Sequence, residues 1–166
     1  SGRALASPIP DNIQARIDAA LPYLAEDFKG VTEDGTVRPG LFSIQKTGSP
    51  TSGIMTAADA FLDSLDSKLR ADTTFDVDSE EWRRWCNIHP YLMRHGAFLD
   101  AVSPTQRDLA MGLLRESMSP QGFETARNAM KLNEAIREIT GSDDEYGEWL
   151  YWLSIMGDPS NDQPWG

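Results

Sequence analysis

The sequence predicts an α+β fold, mainly helical, with a few short strands, the last belonging to a sheet completed by residues absent from this chain. Three observations carry this. Several segments repeat apolar residues at three- and four-residue spacing behind helix-start residues. Residues 29–52 are dominated by Gly, Pro, Thr and Ser and read as a loop-rich insertion. The most apolar run is Trp149 to Met156, followed only by a segment rich in Gly, Pro and Asp. An eight-residue apolar run of this kind reads as a buried strand, which needs partners on both edges. Residues 1–166 are therefore expected to form a single partial domain, the front portion of a larger fold.

A first helix is expected where Asp11 precedes Ile13, Ile17, Ala20, Leu21, Leu24 and Phe28, with Pro22 kinking or dividing it. A short strand is predicted at Leu41–Ile44. Thr56 to Asp59 resembles a capping box with Asp in place of Glu. It opens a second helix whose face is Ala58, Phe61, Leu62, Leu65 and Leu69. Phe75 and Val77 flank Asp76 in a further short strand. Ser79 then caps a helix that sets Trp82, Trp85, Cys86 and His89 on one face before Pro90 breaks it. Ser103-Pro104-Thr105-Gln106 is a strong start signal, with Ser at the cap, Pro first and Gln third. Ser119-Pro120 repeats the device for a long helix to Thr140, ended by Gly141.

Composition narrows the function. A length of 166 residues suits one domain with a modest core, and 40% hydrophobic with 25% charged residues is ordinary for a soluble globular chain. No apolar run approaches the roughly 20 residues of a membrane span. A net charge of −11 argues against a nucleic-acid partner, which calls for a basic stripe. Cys86 is the single cysteine, so neither an internal disulfide nor a cysteine-based metal motif can form. Phosphate-binding glycine loops, a Gly-x-Ser-x-Gly elbow and an EF-hand loop are all absent from the sequence.

What remains informative is polar residues in apolar places. Phe123, Ala126, Ala129, Met130, Leu132, Ile136 and Ile139 share one broad face of the long helix. Asn133 projects from its middle, Arg137 lies in the same arc and Glu134 sits at the edge. Burying such groups costs several kcal/mol unless partners are waiting. They form either a structural network that pins a loop or the polar floor of a pocket. Arg107 similarly falls within the buried arc of its helix and would fork onto a core carboxylate or an anionic ligand. His89 and His95 lie six residues apart around Pro90, which is not the spacing that sets two ligands on one helical face. One of them could still complete a site built elsewhere in the chain. The expected pocket uses His95 and Glu134 as acid/base groups, Asn87, Arg94, Arg107 and Asn133 as substrate-binding residues, and His89 as a metal ligand. Its chemistry would be hydrolase- or lyase-type on a small anionic organic molecule. The alternatives are a non-catalytic binding module, or a structural subunit that docks a partner chain through its terminal strand.

A set of short motifs resembles the domain-of-unknown-function 3500 family, in its N-terminal portion. They are Glu81-Trp82 through Asn87, Arg94-His95-Gly96, Gln106-Arg107, Leu113-Leu114, Ser119 to Phe123, Leu132-Asn133-Glu134, and Tyr151 through Gly157-Asp158-Pro159-Ser160 to Pro164-Trp165-Gly166. Gly30 to Gly35 and Ala57 to Leu62 extend the resemblance forward. It implies a further strand after Trp165-Gly166 that carries a Gly-His-His-Leu element. Those histidines imply a divalent metal or acid/base site completed outside this chain. The partner implied is a C-terminal portion or second chain of the same protein. The family brings no established activity.

Overall fold

The computed structural model describes residues 9–27, 34–36, 38–40, 48, 50–85, 94–160 and 162–166. The fold is α+β and mainly helical. Helix α1 spans Asp11–Leu24 and runs through Pro22, which neither ends nor divides it. Pro10 occupies the cap position, so Asp11 is the first helical residue. The carbonyls exposed at the end of α1 are taken by Arg83, whose guanidinium donates to Tyr23 O and Glu26 O, each at 2.9 Å.

Helix α2, Ser52–Asp63, starts four residues ahead of the expected Thr56 capping box, with Thr51 as its cap residue. The apolar stripe that includes Ile54 and Met55 continues the helix upstream, and a local cap signal inside a stripe does not override it. Ala58, Phe61 and Leu62 are buried as expected. Leu69 belongs instead to a separate helix, α3 (Ser67–Thr73), because the Asp66 carboxylate accepts from Leu69 N at 2.8 Å and opens a new helix there. Strand β1, Thr74–Phe75, follows at once. The helix expected after Ser79 is, among the described residues, a single 3₁₀ turn, Glu80–Arg83. Trp82 and Trp85 are exposed there instead of lining a packed face. The strand expected at Leu41–Ile44, along with Cys86, Asn87 and His89, lies outside the described residues.

Strand β2, Ala97–Phe98, precedes the two helices whose start signals were clearest. Helix α4 (Pro104–Ser117) carries the full capping box: Ser103 Oγ accepts from Gln106 N, and Gln106 Oε1 accepts from Ser103 N at 2.9 Å. Helix α5 (Pro120–Thr140) is capped by Ser119 and ends on Gly141 at φ +71°. The core lies between α2 and α4, with Phe61, Leu62, Ala110, Met111 and Leu113, and it extends to Met130 and Ile155.

The run Trp149–Met156 departs furthest from expectation. It is two strands, β3 (Trp152–Leu153) and β4 (Ile155–Met156), and each half pairs inside this chain. β3 runs antiparallel to β2, with Phe98 stacked on Trp152 at 4.5 Å, and β4 runs parallel to β1. On its other edge, Met156 exchanges two backbone hydrogen bonds with Gly166, at 2.7 and 3.0 Å. Uniform apolarity marked the run as buried but held no sign that it changes ladders at Ser154. Among the described residues, no helix is long and apolar enough to cross a membrane.

Candidate functional site

Two parallel strands that deliver their chains side by side leave a crevice beyond their carboxyl ends, where the outgoing segments diverge. A cavity of about 950 Å³ lies there, past β1 and β4. The segment after β1 contributes Asp76, Val77, Asp78 and Ser79, and the segment after β4 contributes Gly157, Asp158, Ser160, Gln163 and Pro164. Gly157 makes the second wall possible. Its φ is +79°, and a Cβ there would lie 2.8 Å from Pro164 O. The wall is braced internally, since Ser160 Oγ accepts from Gln163 N at 3.0 Å and Trp165 Nε1 donates to Ser160 O at 3.0 Å.

Among the described residues, the lining carries the carboxylates of Asp76, Asp78 and Asp158 and no cationic side chain. The Ser79 hydroxyl is buried without a hydrogen-bond partner among the described residues. Phe75, Val77 and Pro164 supply apolar surface. Such a wall suits hydroxyl or ammonium groups and repels phosphate or carboxylate. This site was not anticipated from sequence. Its signals, Asp-Val-Asp after a short strand and the Gly-Asp-Pro-Ser turn, are far apart, and only the β1–β4 pairing brings them together.

His95 sits just before β2. Its Nδ1 is 2.8 Å from Ser154 Oγ and its Nε2 is 2.6 Å from Arg84 O. A carbonyl only accepts, so in the neutral ring Nε2 carries the proton and Nδ1 offers a lone pair to the serine hydroxyl. Phe75 packs edge-on against the imidazole at 5.3 Å, so one phenyl ring touches both His95 and the cavity. Gly96 permits the close approach. Its φ is +93°, and a Cβ there would meet Ser154 Oγ at 2.3 Å and Leu153 O at 2.4 Å. Arg94, next in line, is partly buried.

The other candidates gather around α5. Asn133 and Arg137 lie in the covered arc as expected, but that arc is shifted: Leu132 is 63% and Ile139 84% exposed, while Arg127 and Glu134 turn toward the body. Segment 142–151 lies over that side and supplies their partners. Asn133 Nδ2 donates to Gly147 O at 3.1 Å. Its side chain also bonds the Tyr151 hydroxyl, whose pKa burial raises against the lowering effect of that bond. Glu134 accepts from Arg137 Nε at 2.9 Å and from Glu148 N at 3.0 Å. Hydrogen bonds to Glu134 first and Asp143 second hold the Arg137 guanidinium charged well above its ordinary range. Arg127 pairs with Glu148, and Arg127 and Arg107 each lie over the Trp149 ring, at 4.6 and 4.7 Å. Arg107 Nε donates to Leu99 O at 2.8 Å, so this guanidinium serves backbone carbonyls and an indole, where a carboxylate or anionic ligand was expected.

His95 thus shares its contacts with Ser154, Arg84 and Phe75, whereas Asn133 and Glu134 bond to the 142–151 segment and their own helix. Asn87 and His89 lie outside the described residues. Among the described residues, no group of three or more His, Cys, Asp or Glu side chains is placed to hold a metal ion.

No curated protein and no solved structure matches the chain significantly. A model of the DUF3500 family, described as a protein of unknown function, matches residues 47–166. That span takes in α2 through α5, β1 through β4, the cavity and His95, and leaves the Gly30–Gly35 motif ahead of it. With most of its length and the core cluster between α2, α4 and α5 inside the match, the chain belongs to the DUF3500 family.

Proposed function

We propose that this chain provides a binding pocket for a small polar organic molecule bearing hydroxyl or ammonium groups, seated at the carboxyl ends of β1 and β4. The observation that carries this reading is the cavity of about 950 Å³ lined by Asp76, Asp78 and Asp158. An open crevice of this volume has room for a small organic molecule, with the carboxylates setting its orientation against apolar surface. Phe75 and Pro164 form those walls, and the carboxylates select against the anionic molecule that the arginines had suggested. His95, behind Phe75, is the titratable group best placed for acid/base chemistry in an enzyme of hydrolase or lyase type. Asn133, Glu134 and Arg107 brace the 142–151 segment that leads into β3. The strands are two residues long, below the usual three to ten. That supports a further segment, from the same protein or a second chain, extending the ladders and closing the pocket.

The test is thermal shift and calorimetry with a polyol, a diamine and a dicarboxylate. A ligand at 100 times its Kd should stabilise the fold by about 2.7 kcal/mol. The polyol or the diamine should bind, and Asp158→Asn should weaken binding. Binding of the dicarboxylate alone, or of none of the three, would overturn the reading.

A further inference from the structure

We infer that Ser154 and His95 form a nucleophile–base pair competent for acyl transfer, with small esters or other activated acyl compounds as the substrate class. The pair shares His95 with the acid/base role proposed above, but its test reads Ser154 itself and needs no pocket ligand. A serine becomes nucleophilic when a base within hydrogen-bond reach can take its proton and a third group holds that base in the right tautomer. All three parts are present. Ser154 Oγ lies 2.8 Å from His95 Nδ1, and Arg84 O, 2.6 Å from Nε2, holds the ring with its proton on the far nitrogen. Phe75 fixes the ring plane from its edge. Neither residue is fully buried.

The placement of Ser154 has a backbone cause. It is the single residue between β3 and β4, where the chain leaves one ladder for the other, and Gly96 alone leaves room for its hydroxyl beside the histidine. In the ring tautomer set by Arg84, the Ser154 proton has two acceptors to choose from, Nδ1 at 2.8 Å and His95 O at 3.1 Å. The nearer is the basic one.

Oγ bonds to the acyl carbon, the carbonyl π pair moves onto oxygen, and the Oγ proton passes to Nδ1. The resulting imidazolium remains bonded through Nε2–H to Arg84 O. Collapse of the tetrahedral adduct breaks the bond to the alkoxy or aryloxy group, which leaves with the proton from Nδ1. Water then attacks the acyl-serine, giving its proton to Nδ1. The carboxylic acid departs as Ser154 regains its hydrogen.

The experiment uses the intact chain with a fluorophosphonate probe and with p-nitrophenyl acetate. Peptide mass spectrometry should place the phosphonyl adduct on Ser154, and S154A should abolish both labelling and ester turnover. H95Q should slow labelling on the order of 10²-fold or more, the range of a lost general base, and flatten its rise with pH. I139S, on the exposed side of α5, should label like the parent chain, and circular dichroism should show each variant folded. Native protein that carries no adduct on Ser154 overturns the proposal whether or not H95Q folds. So does ester turnover surviving in S154A, or labelling of H95Q at the parental rate, which would make the pair a purely structural latch.

Discussion

Replacing Gly96 by alanine places a methyl group where the chain has no room for one. Two penalties follow from the geometry. At φ +93° an L-residue adopts a backbone shape that costs about 1–2 kcal/mol. The new Cβ would also sit 2.4 Å from Leu153 O and 2.3 Å from Ser154 Oγ. The first of these is backbone that pairs β3 with β2, so relief requires shifting the ladder, and overpacking of this kind costs about 1–3 kcal/mol. Together they predict a loss of about 3 kcal/mol, which for a chain of this size lowers Tm by roughly 6–12 °C. Gly141→Ala is the internal control: its φ is +71° but nothing lies within 4 Å of its Cβ, so only the backbone penalty of about 1–2 kcal/mol applies. Urea denaturation of the two variants beside the parent chain measures the difference directly. If Gly96→Ala loses no more stability than Gly141→Ala, the close approach of Gly96 to the strand switch is wrong, and with it the placement of Ser154 against His95.

Asn133→Leu should cost about 1–3 kcal/mol in the same assay, because Gly147 is buried and its carbonyl loses its amide donor. An unchanged midpoint would show that this network does not pin the 142–151 segment. Burial raises the pKa of Tyr151 in the folded chain above its unfolded value of about 10. The unfolded chain therefore loses this proton first, and stability should fall as pH rises through about 10 and level off above the folded value. Tyr151→Phe should remove that part of the alkaline slope, and an identical slope in the variant would refute the assignment. Ile139→Ser, at a side chain 84% exposed, should change stability by less than about 0.5 kcal/mol. A loss above about 2 kcal/mol would mean that α5 is packed in the phase its apolar residues suggest.

Local chemistry made the helix ends legible. Ser103-Pro104 with Gln106, Ser119-Pro120 and Gly141 each satisfy their helix terminus through bonds to residues within three or four positions, so sequence alone identifies them. The buried stripe of Ala58, Phe61 and Leu62 was equally legible, since a run of large apolar residues at helical spacing leaves few other places to go. The extent of the covered face of α5 was only partly legible. Counting apolar residues centred it near Asn133, which with Arg137 does lie in it, but also included Leu132 and Ile139, which are exposed. The face is shifted toward Arg127 and Glu134, whose partners lie on segment 142–151. Polar groups with strong, well-placed partners outweighed two aliphatic side chains, because an unpartnered buried guanidinium or carboxylate costs more than an exposed isoleucine.

The candidate site divides along the same line. His95, Arg94 and Gly96 stood out in sequence as a cation, a titratable ring and a flexible residue at consecutive positions, and His95 does meet a chemically useful neighbour. That neighbour, Ser154, lies 59 positions away and had no mark of its own. The acidic cavity likewise depends on Thr74–Phe75 lying beside Ile155–Met156, a pairing across some 80 residues. By itself, the sequence determined the α+β class, the helix starts and stops, the main apolar face, and the family to which the chain belongs. Only the tertiary structure decided where the Trp149–Met156 run divides, how far the covered face of α5 extends, and which distant carboxylates and hydroxyls share a wall. Caps and helical stripes are settled by energies between near neighbours in the chain. Strand register and long-range polar pairing are settled by competition among partners whose separation in sequence carries no local trace.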